Sequence, residues 1–526
     1  MTNKYIYITL LTLLGVNAES LAQATRQKDA PRLVVNIVID QLRTDYLEAF
    51  TPLYGEKGFK RLLSEGIVYV NGTYPFTPVD RSSAMASLST GTIPYYNGIT
   101  GARWMNRETL RPCWSVDDAK YPGLLTSETA SPVCIGTSTL SDELKMATDG
   151  RAIIFSIAPF RDAAVLTAGH AADGAIWIDD TYGMWCTSQY YATTLPSWVQ
   201  FYNSVKAPGK RIDQWTWEPA NQMVGSFNYF IQAAQPKPFK HKFTGDARFV
   251  EFKTSGMVNA EVTDLAEQCL ENSGMGNDIV TDMLCLTYYA GTYLHQDVTS
   301  CQTELQDTYV RLDQTLARLI NYLELRFSLD DILFIVTGTG YTDEQQGDYA
   351  KYRVPSGTFY MSRTAGLLNM YLGAIYGQGN YVEATFHNQF FLNHKLLETK
   401  HISIGDASGR AQEMLSMMSG IRHVYTALQL LTGQNQQIER IRNGYNAERC
   451  GDIIIETAPG WRILNEDLQE SELTSTAYTQ FPIIIFGTGV RAQRIDTPVS
   501  TTRIAATIAR SVRIRAPNAC FSEPLF

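Results

Sequence analysis

Histidine is scarce in this chain and missing from its last part. The 526 residues include seven histidines, and none follows His423. Because protein zinc sites are built from three or four His, Cys, Asp or Glu side chains, the carboxy-terminal part contributes no imidazole to such a site. The eight cysteines include no Cys-x-x-C pair, which argues against a zinc ribbon or a thioredoxin-type redox site.

Clustered basic residues and long apolar runs are absent as well. The formal net charge is -9 and the Lys and Arg residues form no cluster, so the sequence argues against a general nucleic-acid binder. P-loop hydrolases, α/β-hydrolases and dinucleotide-binding folds are excluded because their glycine motifs are missing. After the amino terminus, no apolar run approaches the ~20 residues of a membrane-spanning helix.

The first 24 residues have the pattern of a signal peptide. Lys4 precedes the apolar run Tyr5–Val16, and Ala22-Gln23-Ala24 is the small-x-small pattern that signal peptidase favours. We predict cleavage after Ala24 and a periplasmic or extracellular protein that does not span the membrane afterwards. A membrane anchor is the alternative reading of the same run, which is short for that purpose.

The remaining chain is apolar enough to form one large core. It is 44% hydrophobic and 18% charged, and no Pro/Gly/Ser-rich linker divides it, which is typical of a single globular unit. The sequence therefore predicts one domain over residues 25–526, with insertions at about 173–253 and 341–450.

One stretch organises the prediction of the fold. Leu33–Arg43 is a continuous β-branched, apolar run that ends in the carboxylate of Asp40. Such a run is typical of a central parallel strand covered by helices on both faces. Ligands of open α/β sheets bind at the carboxyl ends of the strands. We predict an α/β fold with a mostly parallel central sheet, whose further strands are Ala152–Ile157, Met283–Tyr288, Ile332–Thr337, Ile453–Glu456 and Pro482–Phe486.

A short helix is predicted beside Asp40. Thr77-Pro78 is a turn signal, Ser82 or Ser83 provides a helix cap, and Thr90-Gly91 ends the helix. Export also permits disulfides. Cys113 and Cys134 flank a Gly/Pro/Ser-rich segment and are the predicted pair.

Several separate blocks of the sequence resemble the alkaline phosphatase superfamily, especially its secreted, PafA-type bacterial alkaline phosphatases. The blocks occur in the order found in that family and extend over nearly the whole chain. They are LVVNIVIDQLRTDYL, GFKRLLSEG, TPVDRSSAMASLSTG, IPYYNGITG, AGHAADGAIW, DTYVRLDQTLARLINYL, FFLNHKL, RHVYTALQL and RIRAPNAC.

The resemblance implies a two-zinc phosphomonoesterase with a Ser or Thr nucleophile, because two metal ions activate the nucleophile and hold the leaving oxygen of an in-line displacement. Asp40 matches the first metal-binding carboxylate of the family. Arg81 occupies the position of the nucleophile, and an arginine cannot attack phosphorus. Ser82, one residue later, is the fallback nucleophile, although it is equally suited to capping a helix.

Most other functional positions implied by the resemblance are also substituted. The first Asp-x-x-x-His ligand pair falls on Gly291 and His295, or on Thr292 and Gln296 without a gap. His295 and Asp40 are the residual metal candidates, and Arg161 is the residual phosphate-binding candidate. The substituted positions are Thr339 and Gly340 for an Asp-His pair, Gln480 for the last histidine and Ala102 for the phosphate-binding Asn.

Two functions remain open from the sequence. The first is a catalytically inactive pseudophosphatase that needs no cofactor and binds or scaffolds another protein of the cell envelope. The second is a phosphomonoesterase or phosphodiesterase with an altered, zinc-dependent site built on Asp40, His295 and Ser82. For the first, we predict that the Arg81 guanidinium contacts the Asp40 carboxylate in place of a metal, because a desolvated carboxylate needs a compensating cation.

Overall fold

The computed structural model describes residues 30–225, 238–342, 353–473 and 479–526. The predicted signal peptide, residues 1–24, lies outside the described residues. Within those ranges, none of the helices combines the length and the apolar character needed to cross a membrane.

The strands are short and are distributed along the whole described chain. They are β1 Leu33–Asp40, β2 Ile67–Thr73, β3 Arg103–Asn106, β4 Arg111–Trp114, β5 Gly123–Leu124, β6 Ile154–Ala158, β7 Gly174–Ile178, β8 Trp185–Ser188, β9 Asp282–Tyr289, β10 Ile332–Gly338, β11 Gly357–Tyr360, β12 Val382–Phe386, β13 Gln389–Leu392, β14 Ile421–Thr426, β15 Ile453–Thr457, β16 Trp461–Asn465, β17 Glu470–Leu473, β18 Phe481–Gly487, β19 Gln493–Ile495 and β20 Val499–Ser500.

Helices of very different length connect these strands. They are α1 Thr44–Ala49, α2 Phe59–Glu65, α3 Arg81–Thr90, α4 Pro94–Asn97, α5 Leu140–Ala147, α6 Arg161–Ala168, α7 Ser197–Val205, α8 Pro208–Arg211, α9 Arg248–Lys253, α10 Val258–Asn272, α11 Gln302–Glu324, α12 Met361–Tyr376, α13 His394–Thr399, α14 Ile404–Ser416, α15 Ala427–Thr432, α16 Gln436–Asn443 and α17 Arg503–Ser511. Single 3₁₀ turns occur at Thr51–Leu53, Ile212–Gln214, Tyr293–His295 and Leu329–Asp331.

The central sheet has β1 near its middle. Its order is β19-β2-β18-β10-β1-β9-β6-β7-β8-β5, and β20 pairs with β2. The strands from β10 through β7 are parallel, and Asp40 at the end of β1 is in register with Tyr289 of β9. The carboxyl ends of β1, β9 and β10 therefore meet at one edge.

Both faces of β1 are covered by helices, as the continuous apolar run predicts. One face joins a core cluster that includes side chains of α11, and the other joins a cluster with side chains of α3, α6 and α17. Successive side chains of a strand point to opposite faces. Those of β1 divide accordingly, with Leu33, Val35, Ile37 and Ile39 on one face and Val34 and Val38 on the other.

Three topological predictions are wrong. The strand predicted at Pro482–Phe486 is β18, which runs antiparallel to both β10 and β2. The strand predicted at Ile453–Glu456 is β15, which lies in a separate four-stranded sheet of order β12-β13-β15-β14. The chain consequently returns to the central sheet at β18 and not at Asp452. An apolar run indicates burial, but it specifies neither the direction of a strand nor its partner.

Two further predictions, the bounds of the first insertion and the disulfide, differ from the structure. The segment predicted as an insertion at about 173–253 begins with β7 and β8, which belong to the central sheet. All eight cysteines are free thiols, so the predicted pairing of Cys113 with Cys134 is wrong. Cys113 lies in the β3–β4 hairpin, where its Sγ donates to the carbonyl oxygen of Trp104. Spacing along the chain does not set the geometry that a disulfide requires.

Candidate functional site

Asp40 lies at the carboxyl end of the central strand and is fully buried. Its Oδ1 accepts a hydrogen bond from the Thr339 hydroxyl at 3.0 Å, and its Oδ2 accepts one from the Tyr341 hydroxyl at 3.3 Å. Thr339 directly follows β10, so the neighbouring parallel strand delivers it to the same edge of the sheet. The position of Asp40 is the one that the apolar run predicts.

The first turn of α3 faces this edge and begins at Arg81. Asp80 is the cap of the helix: its side chain accepts from the backbone N–H of Ser83, and its own N–H donates to the Ser83 hydroxyl. The predicted cap at Ser82 or Ser83 is therefore displaced by two or three residues. Asp80 also accepts from the Ala102 N–H at 2.6 Å, which ties the following loop to the start of the helix.

The Arg81 guanidinium contacts Asp40, as predicted. Nη1 lies 3.3 Å from Asp40 Oδ2, and Nε donates to both carboxylate oxygens of Asp162, at 3.1 and 3.0 Å. The Phe160 ring covers the guanidinium at 3.9 Å from its centroid. Burial would lower the pKa of Arg81, but Asp162, Tyr341 and Asp40 together hold it well above its usual value. The arginine is therefore a fixed positive charge.

Asp162 is a residue of this cluster that the sequence analysis does not identify. It lies in the first turn of α6 and is buried, and it accepts from the Ser82 hydroxyl at 2.7 Å in addition to Arg81. Burial would raise the pKa of Asp162, but the positive charge of Arg81 and hydrogen bonds from Arg81 and Ser82 lower it below its ordinary value. An acidic residue at the start of a helix is usually explained by its favourable interaction with the helix dipole. The local sequence therefore does not indicate that Asp162 has a partner on α3.

The described part of this cluster combines two acidic side chains with one basic side chain. Asp40 and Asp162 contribute two carboxylates, and Arg81 contributes one guanidinium. The Ser82 hydroxyl is fully buried and donates to a carboxylate. A nucleophilic hydroxyl has to reach the phosphorus atom, and in this arrangement the Ser82 hydroxyl is buried against Asp162.

The remaining substituted positions have structural contacts. Thr339 is buried, accepts from the Gln41 N–H at 2.9 Å and donates to Asp40. Gly340 adopts φ +70°, and a Cβ there would lie 2.6 Å from the Phe481 ring. The Gln480 side chain is exposed, while its carbonyl oxygen accepts from the Thr44 N–H. In this backbone arrangement, a bulky ligand side chain has no room at position 340.

Two predicted binding residues lie apart from the cluster. Arg161 directs its guanidinium to Asp117 at 2.9 Å and to the Thr129 carbonyl oxygen at 2.8 Å. His295 lies on an exposed turn, with its ring edge-on to Tyr289. The described contacts therefore place neither Arg161 nor His295 with Asp40 and Arg81.

The zinc ions implied by the resemblance do not fit the described donors. In residues 30–225, 238–342, 353–473 and 479–526, no group of three or more His, Cys, Asp or Glu side chains could hold a metal ion. The two oxygens of Asp40 face hydroxyl and guanidinium donors. Hydroxyl and guanidinium groups are not the side chains from which zinc sites are built, and we derive no step through a metal.

A mixed central sheet with parallel middle strands, a carboxylate at the end of one of them and a helix amino terminus opposite it are features of the alkaline phosphatase superfamily fold. The crystal structure of wild-type alkaline phosphatase PafA has this fold: it superposes with a TM-score of 0.81 at 24% identity and covers 94% of this chain and 98% of that chain.

The family model described as type I phosphodiesterase / nucleotide pyrophosphatase matches residues 34–480, and the chain belongs to this family. Alkaline phosphatase PafA of Elizabethkingia meningoseptica is 26% identical over 98% of both chains. Alkaline phosphatase PhoV of Synechococcus elongatus is 27% identical over 93% of this chain and 91% of that relative. The similarity thus extends over nearly the whole length of these two phosphatases.

Proposed function

We propose that this chain is a pseudophosphatase: an exported protein with the alkaline phosphatase fold that binds or scaffolds another protein of the cell envelope and does not hydrolyse phosphate esters. The observation that carries the proposal is the contact between Arg81 and Asp40, 3.3 Å apart. It supports an arrangement in which a protein cation, and not a metal ion, neutralises the carboxylate at the end of β1.

Electrostatics supports this arrangement in two ways. A buried carboxylate is costly unless a cation compensates it, and Arg81 supplies that cation. The same guanidinium repels a divalent metal ion at close range, and this repulsion is strong where water is largely excluded. Asp162 holds the guanidinium in place through two further contacts with Nε. Under this proposal the fold does not need a metal ion beside Asp40.

The alternative function is a zinc-dependent phosphomonoesterase or phosphodiesterase with an altered site. Two observations favour it. The Ser82 hydroxyl donates to Asp162 at 2.7 Å, which is the kind of contact through which a carboxylate activates a nucleophile. The similarity to alkaline phosphatases over nearly the full length also favours an enzyme. The burial of Ser82 and the Arg81–Asp162 contact are the observations against it.

One experiment separates the two functions. The purified chain from residue 25 onward is analysed for bound zinc and assayed with a phosphate monoester and a phosphate diester, with and without added zinc. An active PafA-type enzyme, purified in the same way, serves as the positive control. We expect less than stoichiometric zinc and no turnover above background. Turnover that Ser82→Ala abolishes would establish the altered enzyme instead.

A further inference from the structure

The helix α12 has an apolar side exposed to solvent in addition to the apolar side that it buries. Met361, Leu368 and Leu372 are buried in the core cluster of its own region. On the opposite side, Leu367 and Met370 are 45% and 74% exposed, and Ile375 in the last turn is 43% exposed. No charged residue occurs from position 364 to 376. A helix that is apolar all round is normally buried, but the described residues leave this side of α12 uncovered.

Two glycines on this helix have no explanation within the chain. A Cβ at Gly366 or Gly373 would have no atom within 4 Å, so the packing of this chain does not require a glycine at either position. Glycine inside a helix costs ~1 kcal/mol relative to alanine. A role for glycine in such a place is to let another backbone approach closely.

We propose that the exposed side of α12 binds the same side of α12 in a second copy of this chain, with the two helices antiparallel. A two-fold symmetric interface brings one patch against itself. An antiparallel pair centred next to Met370 aligns Gly366 of one copy with Gly373 of the other, because the two positions lie equally far from that centre. The long Met370 side chains then meet at the axis, between two points of close backbone approach.

The charges at the two ends of α12 favour an antiparallel arrangement with a second copy of this chain. Arg363 lies at the amino-terminal end of α12 and is exposed, with an ion pair to Glu466 of 3.6 Å. At the other end, Tyr376 donates to the carboxylate of Asp406, which is exposed. The pairing that aligns the glycines also brings Arg363 of each copy to the Asp406 end of the other. Two chains of net charge -9 can approach most easily through an uncharged side of this kind.

The size of the surface predicts a reversible dimer. α12 has 16 residues and is therefore about 24 Å long. One side of a helix of this length offers less area than the ≈ 800 Å² per partner of a standard interface. Exposed apolar side chains continue the surface beyond the carboxyl end of α12, where Leu428 lies against Gly405 next to Ile404. We expect dissociation at micromolar concentrations, on the order of 10–100 µM.

Analytical ultracentrifugation of the chain from residue 25 over a range of concentrations tests the proposal. Wild type is expected to shift from monomer to dimer with concentration. Met370→Glu places two like charges at the axis and is expected to weaken the dimer at least about tenfold. Met417→Glu is the matched control, because Met417 is 79% exposed and lies outside α12, and it should dimerise like wild type. Thermal melting verifies that each variant is folded.

A charge exchange tests the orientation. Arg363→Asp and Asp406→Arg should each weaken the dimer, and the double variant should restore it, since the two residues meet across the interface. Three results would overturn the proposal. The first two are a wild type that stays monomeric at all concentrations and a dimer that Met370→Glu leaves unchanged. Binding of monomeric wild type to uncharged phosphatidylcholine vesicles, lost in Met370→Glu, would also overturn it by assigning the surface to lipid.

Discussion

Arg81 Nη1 lies 3.3 Å from Asp40 Oδ2, although 41 positions of the sequence separate the two residues. The contact joins the start of α3 to the end of β1, and Asp162 at the start of α6 secures the guanidinium from a third element. A double-mutant cycle of Arg81 and Asp40 would measure the interaction energy of the pair. Single substitutions are enough to separate a structural role of Arg81 from a catalytic one.

Arg81→Thr introduces a hydroxyl at the position that the family reserves for its nucleophile. We expect no phosphatase activity, because Thr339, Gly340 and Gln480 still provide no strong metal ligand. Unfolding free energy should fall by ~3 kcal/mol, because Asp40 and Asp162 lose their cation in a buried place. Denaturant unfolding measures the loss. Arg494→Thr is the control, since its partner Glu48 is largely exposed and such pairs contribute ~0–1 kcal/mol. Measurable turnover by the Arg81 variant would contradict the prediction.

Gly340→Ala should destabilise the fold. Gly340 adopts φ +70°, and a Cβ would lie 2.6 Å from Phe481 and 2.8 Å from Tyr74, so the substitution combines backbone strain with a clash. We expect a loss of ~2 kcal/mol in urea unfolding. Gly409→Ala in α14 is the matched control: it has open space around the new Cβ and should gain ~0.5–1 kcal/mol. If Gly340→Ala is as stable as wild type, the loop at position 340 adjusts to the new Cβ and the prediction is wrong.

The ion pair of His170 and Asp142 predicts a pH-dependent stability. His170 Nδ1 lies 2.8 Å from Asp142 Oδ2, and this hydrogen bond raises the pKa of His170 above its ordinary value. A raised folded-state pKa gives stability that is complete below the unfolded pKa of ~6.5 and is lost as the pH rises through the folded pKa. The stability advantage of wild type over His170→Gln should therefore shrink from pH 5.5 to pH 9. Asp142→Asn should remove this pH dependence, and its persistence would refute the assignment.

Glu261 should also make the protein less stable as the pH rises, but over a lower pH range than His170. Its carboxylate is buried between Arg211, Trp185 and Tyr202, and burial raises its pKa to about 7. The stabilisation that it contributes is complete below the unfolded pKa of ~4.3 and is lost as the pH rises to about 7. The unfolding free energy of wild type relative to Glu261→Gln should fall by about 3 kcal/mol between pH 4.5 and pH 7.5. A difference that stays constant with pH would contradict this.

The sequence predicts those features that depend on local pattern. Asp40 at the end of a buried strand follows from one apolar run, and the helix that ends at Gly91 follows from its flanking turn signals. The contact of Arg81 with Asp40 could be predicted because the family resemblance places position 81 beside Asp40 and a buried carboxylate is costly without a compensating cation. The role of Asp162 depends instead on two helices that lie side by side, and nothing in its own segment reports the neighbour.

Strand pairing shows the same limit. The run in β18 reads identically for a parallel and an antiparallel strand, and the run in β15 resembles one from the central sheet. Their partners are set by the path of the whole chain, which the local pattern of burial does not contain.

The cation that balances Asp40 is part of the polypeptide. A bound metal ion is held by mass action, so its occupancy falls when the ion is scarce or a chelator is present. Arg81 is synthesised with every molecule in a ratio of one to one and cannot diffuse away. Under the proposed function, the charge balance at the end of β1 does not depend on metal supply, and we expect the protein to fold and persist in surroundings depleted of zinc.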